Sequence, residues 1–201
     1  ARRRLAEIFM SLLRIYCSVH TAPPQCRWAL SGDARAQGEG PLARAPRGAT
    51  RVQLVIPAAE VLLTRVTLPP GAKRQTGSVL AFAIEDETMG EPDANLASWL
   101  GAAGNADVLA VVDKQGLQSW LDALDAVDLG RYEVQCETLL LPRATGEWSL
   151  AWNGRDGFVR SGEFEGAATD YGDLQSPPLS LRLMVEAATK AGERPAAIAV
   201  Y

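Results

Sequence analysis

The sequence predicts an α/β fold. Apolar runs of about four to eight residues recur between turn-forming residues, as strands do. One segment, 117–127, sets its apolar residues at helical spacing, and two β-like runs flank an Asn-Gly-Arg-Asp turn at 153–156. With 201 residues and 47% hydrophobic content, the chain can bury one large core or two modest ones.

A well-patterned sequence begins at Met10, so residues 1–9, with Arg2, Arg3 and Arg4, read as a vector-derived remnant or an alternative upstream start. Leu12, Leu13, Ile15, Tyr16 and Val19 read as a first strand, interrupted by Pro23 and Pro24, which lack the donor a ladder needs. Residues 26–30 supply a second strand and 31–35 a turn, after which 37–41 leads into an Ala, Pro and Gly loop ending near Gly48. Residues 52–56 form a run typical of a strand covered on both faces, and 61–68 a further strand stopped by Pro69 and Pro70.

A helix is expected over 73–84, with Thr76, Val79, Leu80, Ala83 and Ile84 on one face. A strand follows at 107–112, and Asp113 is suited to cap the next helix. In that helix Leu117, Trp120, Leu121, Leu124 and Val127 make the apolar stripe, Gln118, Asp122 and Asp125 take the wet side, and Gly130 closes the segment. Strands are then expected at 132–136 and 138–141, a hairpin from 147–152 and 157–161, a helix over 179–190 and a last strand at 197–201. The connector 142–146 suggests a domain boundary, giving a first domain at 10–143 and the start of a second, cut short, at 144–201.

The formal charge is -4; residues 1–9 contribute +2 of this, so the remainder is distinctly acidic. No basic cluster offers a footprint for nucleic acid beyond Arg2 to Arg4. No run reaches the roughly 18 apolar residues of a membrane span. Cys17, Cys26 and Cys136 cannot all pair and lack CxxC spacing, which points to core thiols in a reducing compartment and away from structural zinc.

Neither GxxxxGK[ST] nor GxGxxG occurs, so no phosphate loop is legible. His20 is the sole histidine, which leaves zinc clusters and histidine relays short of members; Cys17 and His20, three apart, read as a core thiol beside a loop residue. No catalytic, metal-binding or cofactor-binding residue is assigned. The acidic run Glu85, Asp86 and Glu87 has two main readings, a solvated helix end and the negative half of a docking surface. Paired-carboxylate or magnesium chemistry fits less well, because three adjacent side chains point in different directions. Trp99, Trp148 and Trp152 read as core or hairpin packing.

Several runs, taken together, carry a family resemblance: CRWAL at 26–30, VLLTRVTLPP at 61–70, LAFAIEDE at 80–87, VVDK at 111–114 with Trp120 and Leu121, and LLLP at 139–142 followed by GEWS at 146–149. In this order and spacing, over residues 10–166, they resemble the cytoplasmic domain of the L component of the bacterial type II secretion system. The resemblance implies an actin-like fold with RNase H-like mixed sheets, and a single membrane helix C-terminal to residue 201 that holds the domain at the cytoplasmic face of the inner membrane. It also implies a scaffold role without catalysis or cofactor. The partners implied are the secretion ATPase, through its N-terminal domain, then the M component and other platform proteins, with a homodimer admitted.

Actin-like ATPases hold phosphate and metal with an Asp and Gly in the turn after the first strand and again in the first hairpin of the second domain. Here the first turn, 17–24, has no acid and contains Pro23 and Pro24, and Asp156 is the one acid in the second. Tight magnesium-dependent nucleotide binding is therefore not expected. The competing readings are an actin-like nucleotide-binding kinase or ATPase and a pilus-biogenesis adaptor that takes a peptide in its cleft.

Overall fold

The run at 52–56 is buried almost throughout because it becomes a central strand. In a computed structural model, which describes residues 11–20, 25–32, 36–68, 80, 83–84, 88, 91–172 and 176–201, it forms β4 (Arg51–Ile56). β4 lies between β1 (Leu12–Tyr16) and β8 (Tyr132–Cys136) in a five-stranded sheet of order β3-β2-β1-β4-β8. Here β2 is Gln25–Leu30 and β3 is Gln37–Pro41. A strand covered on both sides excludes alternation, so Val52, Leu54, Val55 and Ile56 are all buried. The one polar residue among them, Gln53, accepts from Arg14 Nε at 3.2 Å.

The chain divides into two compact units, one of residues 1–56 with 116–135, the other of 57–115 with 136–201. The first holds the five-stranded sheet and most of helix α1 (Lys114–Val127), whose Leu117, Trp120 and Leu124 are buried. Leu121, expected on the buried face, is only half-buried. The helix closes at Asp128, in the left-handed region at φ 53°, whose N–H donates to the Leu124 and Asp125 carbonyls. The stop therefore comes two residues before the expected Gly130.

The second unit holds two sheets. The strands β5 (Leu62–Val66), β6 (Asn95–Ala103) and β7 (Ala106–Asp113) form an antiparallel sheet of order β5-β7-β6. Its core is Val66, Ala97, Leu109 and Val111, with Leu80 and Ile84 packed among them. Most of the helix expected over 73–84 lies outside the described residues; Leu80 and Ile84 from it are buried as its pattern requires. The strands β9 (Glu147–Trp152), β10 (Gly157–Arg160), β11 (Gly166–Ala168) and β12 (Ala197–Val200) form the other sheet, of order β11-β10-β9-β12. Helix α2 (Leu179–Lys190) packs on it through Leu181, Met184, Val185 and Ala188, against Trp148, Leu150 and Val159.

The first and last of these sheets share one topology. In each, a strand pairs antiparallel with the next, that one antiparallel with the third, and the first strand then pairs in parallel with a later strand. This repeated 3-2-1-4 order is the RNase H-like arrangement of an actin-like fold.

Of residues 138–141, expected as a strand, the first three instead lie in a 3-10 turn, Glu137–Leu140, and Leu141 caps it. The Leu139 and Leu141 carbonyls are taken by Arg160, so these groups are unavailable to a ladder, and the Glu137 carboxylate accepts from Ala58 N beside them. Residues 37–41, expected to lead into a loop, are edge strand β3, where the indole of Trp28 occupies the space a side chain at Gly38 would need.

Candidate functional site

Glu85, Asp86 and Glu87 lie outside the described residues. Ile84, directly before them, is 1% exposed within the core of the three-stranded sheet, and Thr88, directly after, donates its hydroxyl to the Ile84 carbonyl at 3.2 Å. The chain is thus attached to that sheet at the residue preceding the acids.

Two turns stand where actin-like ATPases carry phosphate, and their described residues make hydrogen bonds within the protein. In the turn after β1, Cys17 N donates to the Val55 carbonyl at 3.1 Å and its Sγ to the same oxygen at 3.8 Å. The Ser18 carbonyl accepts from Trp120 Nε1 at 2.8 Å, and His20 N donates to Ser18 Oγ at 3.2 Å. Cys17 is buried and His20 exposed, so the two do not share an environment in which one activates the other.

In the turn between β9 and β10, the Asn153 side-chain oxygen accepts from Arg155 N at 2.9 Å and Asp156 N at 3.0 Å, while its amide nitrogen donates to the Asp156 carboxylate at 2.5 Å. An incoming phosphate would need those same backbone donors, and a metal the same carboxylate. The turn is braced from outside: the Arg155 carbonyl accepts from Gly172 N at 2.8 Å, and its guanidinium stands 4.9 Å from the centre of the Tyr171 ring.

All three thiols are buried. Burial pushes Cys26 up to about 11 and raises Cys136 as well, which keeps both protonated near neutral pH. Among the described residues, no group of three or more His, Cys, Asp or Glu side chains is placed to hold a metal ion. Trp148 packs in the four-stranded core, Trp152 lies against it, and Trp99 is 39% exposed with its indole nitrogen bonded to Asp107 at 2.9 Å. A shallow depression of about 220 Å³ borders Arg143, Glu147, Trp148, Glu163, Glu193 and Arg194. It carries both signs of charge, and Arg143 and Glu163 are paired at 3.3 Å.

Sequence reasoning missed two polar anchors of the second unit. Arg160 donates to four carbonyls, those of Leu139, Leu141, Gly162 and Glu163, at 2.7–3.1 Å, and burial pulls its pKa down from the ordinary arginine value. Asp170 accepts from the backbone N–H groups of Leu179 and Ser180, capping α2 from a loop ten residues before Ser180. An N-cap search along the sequence inspects the residue beside the helix, here Pro178, and so passes Asp170 over.

Comparison with known proteins adds the following. The family model for type II secretion system protein L matches residues 31–191. The type II secretion system protein L of Pectobacterium carotovorum subsp. carotovorum is 30% identical over 100 residues, 50% of this chain and 24% of that protein. Its namesake from Vibrio cholerae serotype O1 is 30% identical over 120 residues, 59% of this chain and 29% of that protein. The matched stretch thus spans less than a third of each relative. The solved cytoplasmic domain of EpsL, an inner-membrane component of the type II secretion system of Vibrio cholerae, shares the fold with a TM-score of 0.70 at 22% identity, over 95% of this chain and 82% of that one.

Proposed function

Because the chain belongs to the family of type II secretion system protein L, we propose that it is the docking portion of an inner-membrane platform component, receiving the secretion ATPase and coupling it to pseudopilus assembly. The observation that carries this reading is the family match over 31–191, joined to a fold shared along 95% of the chain with the EpsL cytoplasmic domain. The partner is the N-terminal domain of the ATPase, and the M component and other platform proteins join in the whole protein. No helix among the described residues is long and apolar enough to cross a bilayer.

The chain acts here as a scaffold with no reaction of its own. Support comes from the turn at 153–156, where the Arg155 and Asp156 amides and the Asp156 carboxylate are already bonded to Asn153. Docking is assigned to Glu85, Asp86 and Glu87, which follow a residue anchored in the three-stranded core. An acidic run suits basic side chains on the partner.

Calorimetric titration of the chain with the ATPase N-terminal domain tests the reading. A saturable isotherm is expected. Absence of binding to that domain, with saturable binding of ATP and magnesium in its place, would replace the scaffold with a nucleotide-binding protein.

A further inference from the structure

The turn 161–165, between β10 and β11, reaches both outer strands of the neighbouring three-stranded sheet with two consecutive side chains. Its backbone is closed by Ser161 N and Gly162 N, which both donate to the Glu165 carbonyl, at 3.0 and 3.3 Å. Phe164 lies on Gly101 of β6 so closely that a Cβ at that glycine would clash with the ring. The Glu165 carboxylate accepts from Arg65 Nε of β5.

Gly101 and Arg65 are both opposite Val108 of the central strand β7, so the two grips fall at the ends of one row across the sheet. Val108 itself is fully buried. The β6 ladder also shifts register between Trp99 and Gly101, next to the place where the ring sits.

The base of the turn is held just as firmly. Arg160, the last residue of β10, donates to the Gly162 and Glu163 carbonyls inside the turn and to Leu139 and Leu141 beneath it. Arg143 pairs with Glu163, and Arg65 Nη2 also reaches Glu193 after α2 at 3.9 Å.

We infer that residues 161–165 are a latch that makes the three-stranded and four-stranded sheets of the second unit one mechanical body. Phe164 supplies the volume that Gly101 lacks, and Glu165 sets the lateral position of β5. The charged grip is partly exposed and screened, with Arg65 half exposed, so the ring is the stronger of the two. The coupling stands without the docking reading. Only its consequence rests on that reading: load applied at the acids after Ile84 passes through this turn to the four-stranded sheet.

Hydrogen exchange at rising denaturant, read by mass spectrometry on the intact chain, tests the latch. In the parent, segments from β5–β7 and from β9–β10 are expected to open together. In the double variant Phe164→Ala, Glu165→Gln, the β5 and β6 segments should open first, with protection lowered about tenfold or more while β9 and β10 keep theirs. Separate opening in the parent, or joint opening in the double variant, overturns the proposal. A second measurement serves if the double variant does not fold. Gly101→Ala should destabilise the parent markedly but the Phe164→Ala protein hardly at all, because the ring that excludes the methyl group is gone. Equal costs in both backgrounds also overturn the latch.

Discussion

The indole N–H of Trp120 donates to the Ser18 carbonyl at 2.8 Å, tying α1 to the turn that follows β1. Trp120 is also fully buried, so it contributes apolar packing and one hydrogen bond together. Trp120→Ala is expected to cost about 3–5 kcal/mol by cavity formation. Trp120→Phe retains much of the apolar contact but withdraws the donor from Ser18, and should cost about 1–3 kcal/mol. Urea denaturation of both variants checks the order; an unchanged midpoint for Trp120→Ala would exclude this role.

Two leucines on the same helix should separate. Leu124 is 1% exposed and Leu121 half-buried. Leu124→Ala is expected to cost about 2–5 kcal/mol and Leu121→Ala clearly less, since fewer contacts are lost and water already reaches the site. Paired denaturation curves give the ranking.

The cysteines should resist alkylation in the native protein and react together once it is denatured. Cys26, held up to about 11 by burial, sets a sign for alkaline stability. The fold favours the protonated thiol, so this contribution is present below the unfolded value of 9.0 and is lost as pH rises from there through about 11. Cys26→Ala should lessen the fall of melting temperature across that interval.

Asp170 acts at the opposite end of the scale. The Ser180 hydroxyl and then the Ser180 amide hold its carboxyl below the ordinary carboxylate value. Its contribution is therefore present at neutral pH and lost as pH falls through and below that range. Asp170→Ala should loosen the first turn of α2, seen as faster exchange at Leu179 and Ser180, and should flatten the acid limb of the melting profile.

Reversing Glu85, Asp86 and Glu87 to Lys should leave the circular dichroism spectrum and melting behaviour near the parent's while weakening ATPase-domain binding about tenfold or more, about 1.4 kcal/mol. The parent complex should also loosen as salt rises. Equal affinity for parent and variant, both folded, removes the acids from the docking surface and leaves the family assignment intact.

Titration with ATP and magnesium should show no saturable binding below about 1 mM, because a phosphate must displace Asn153 from two amides before it can bind them. A clear isotherm would show that the turn opens readily.

Helix α1 was legible because its signal is local: residues three and four apart meet on one face whatever surrounds the helix. The hairpin of β9 and β10 was legible for a similar reason, since an Asn-Gly turn selects its own conformation, with Gly154 at φ 92°. The burial of β4 and of Leu80 and Ile84 followed from apolar pattern alone. The acidic run was legible as charge, though charge by itself assigns no partner.

Other elements depended on residues far along the chain. β3, β6 and β11 contain Gly, Ala, Gln and Pro and carry weak strand propensity, so neighbouring ladders and borrowed rings make them strands, Trp28 over Gly38 and Phe164 over Gly101. Residues 138–141 have strand-like composition, yet Arg160, about twenty residues later, takes the carbonyls of Leu139 and Leu141. The sequence by itself determined the α/β class, the main helices and the family resemblance, because local periodicity and motif order suffice for these. Tertiary structure alone decided which weak segments pair, which loop carboxylate caps α2 and which arginine holds which carbonyl, because a hydrogen bond depends on distance in space and the chain records only order.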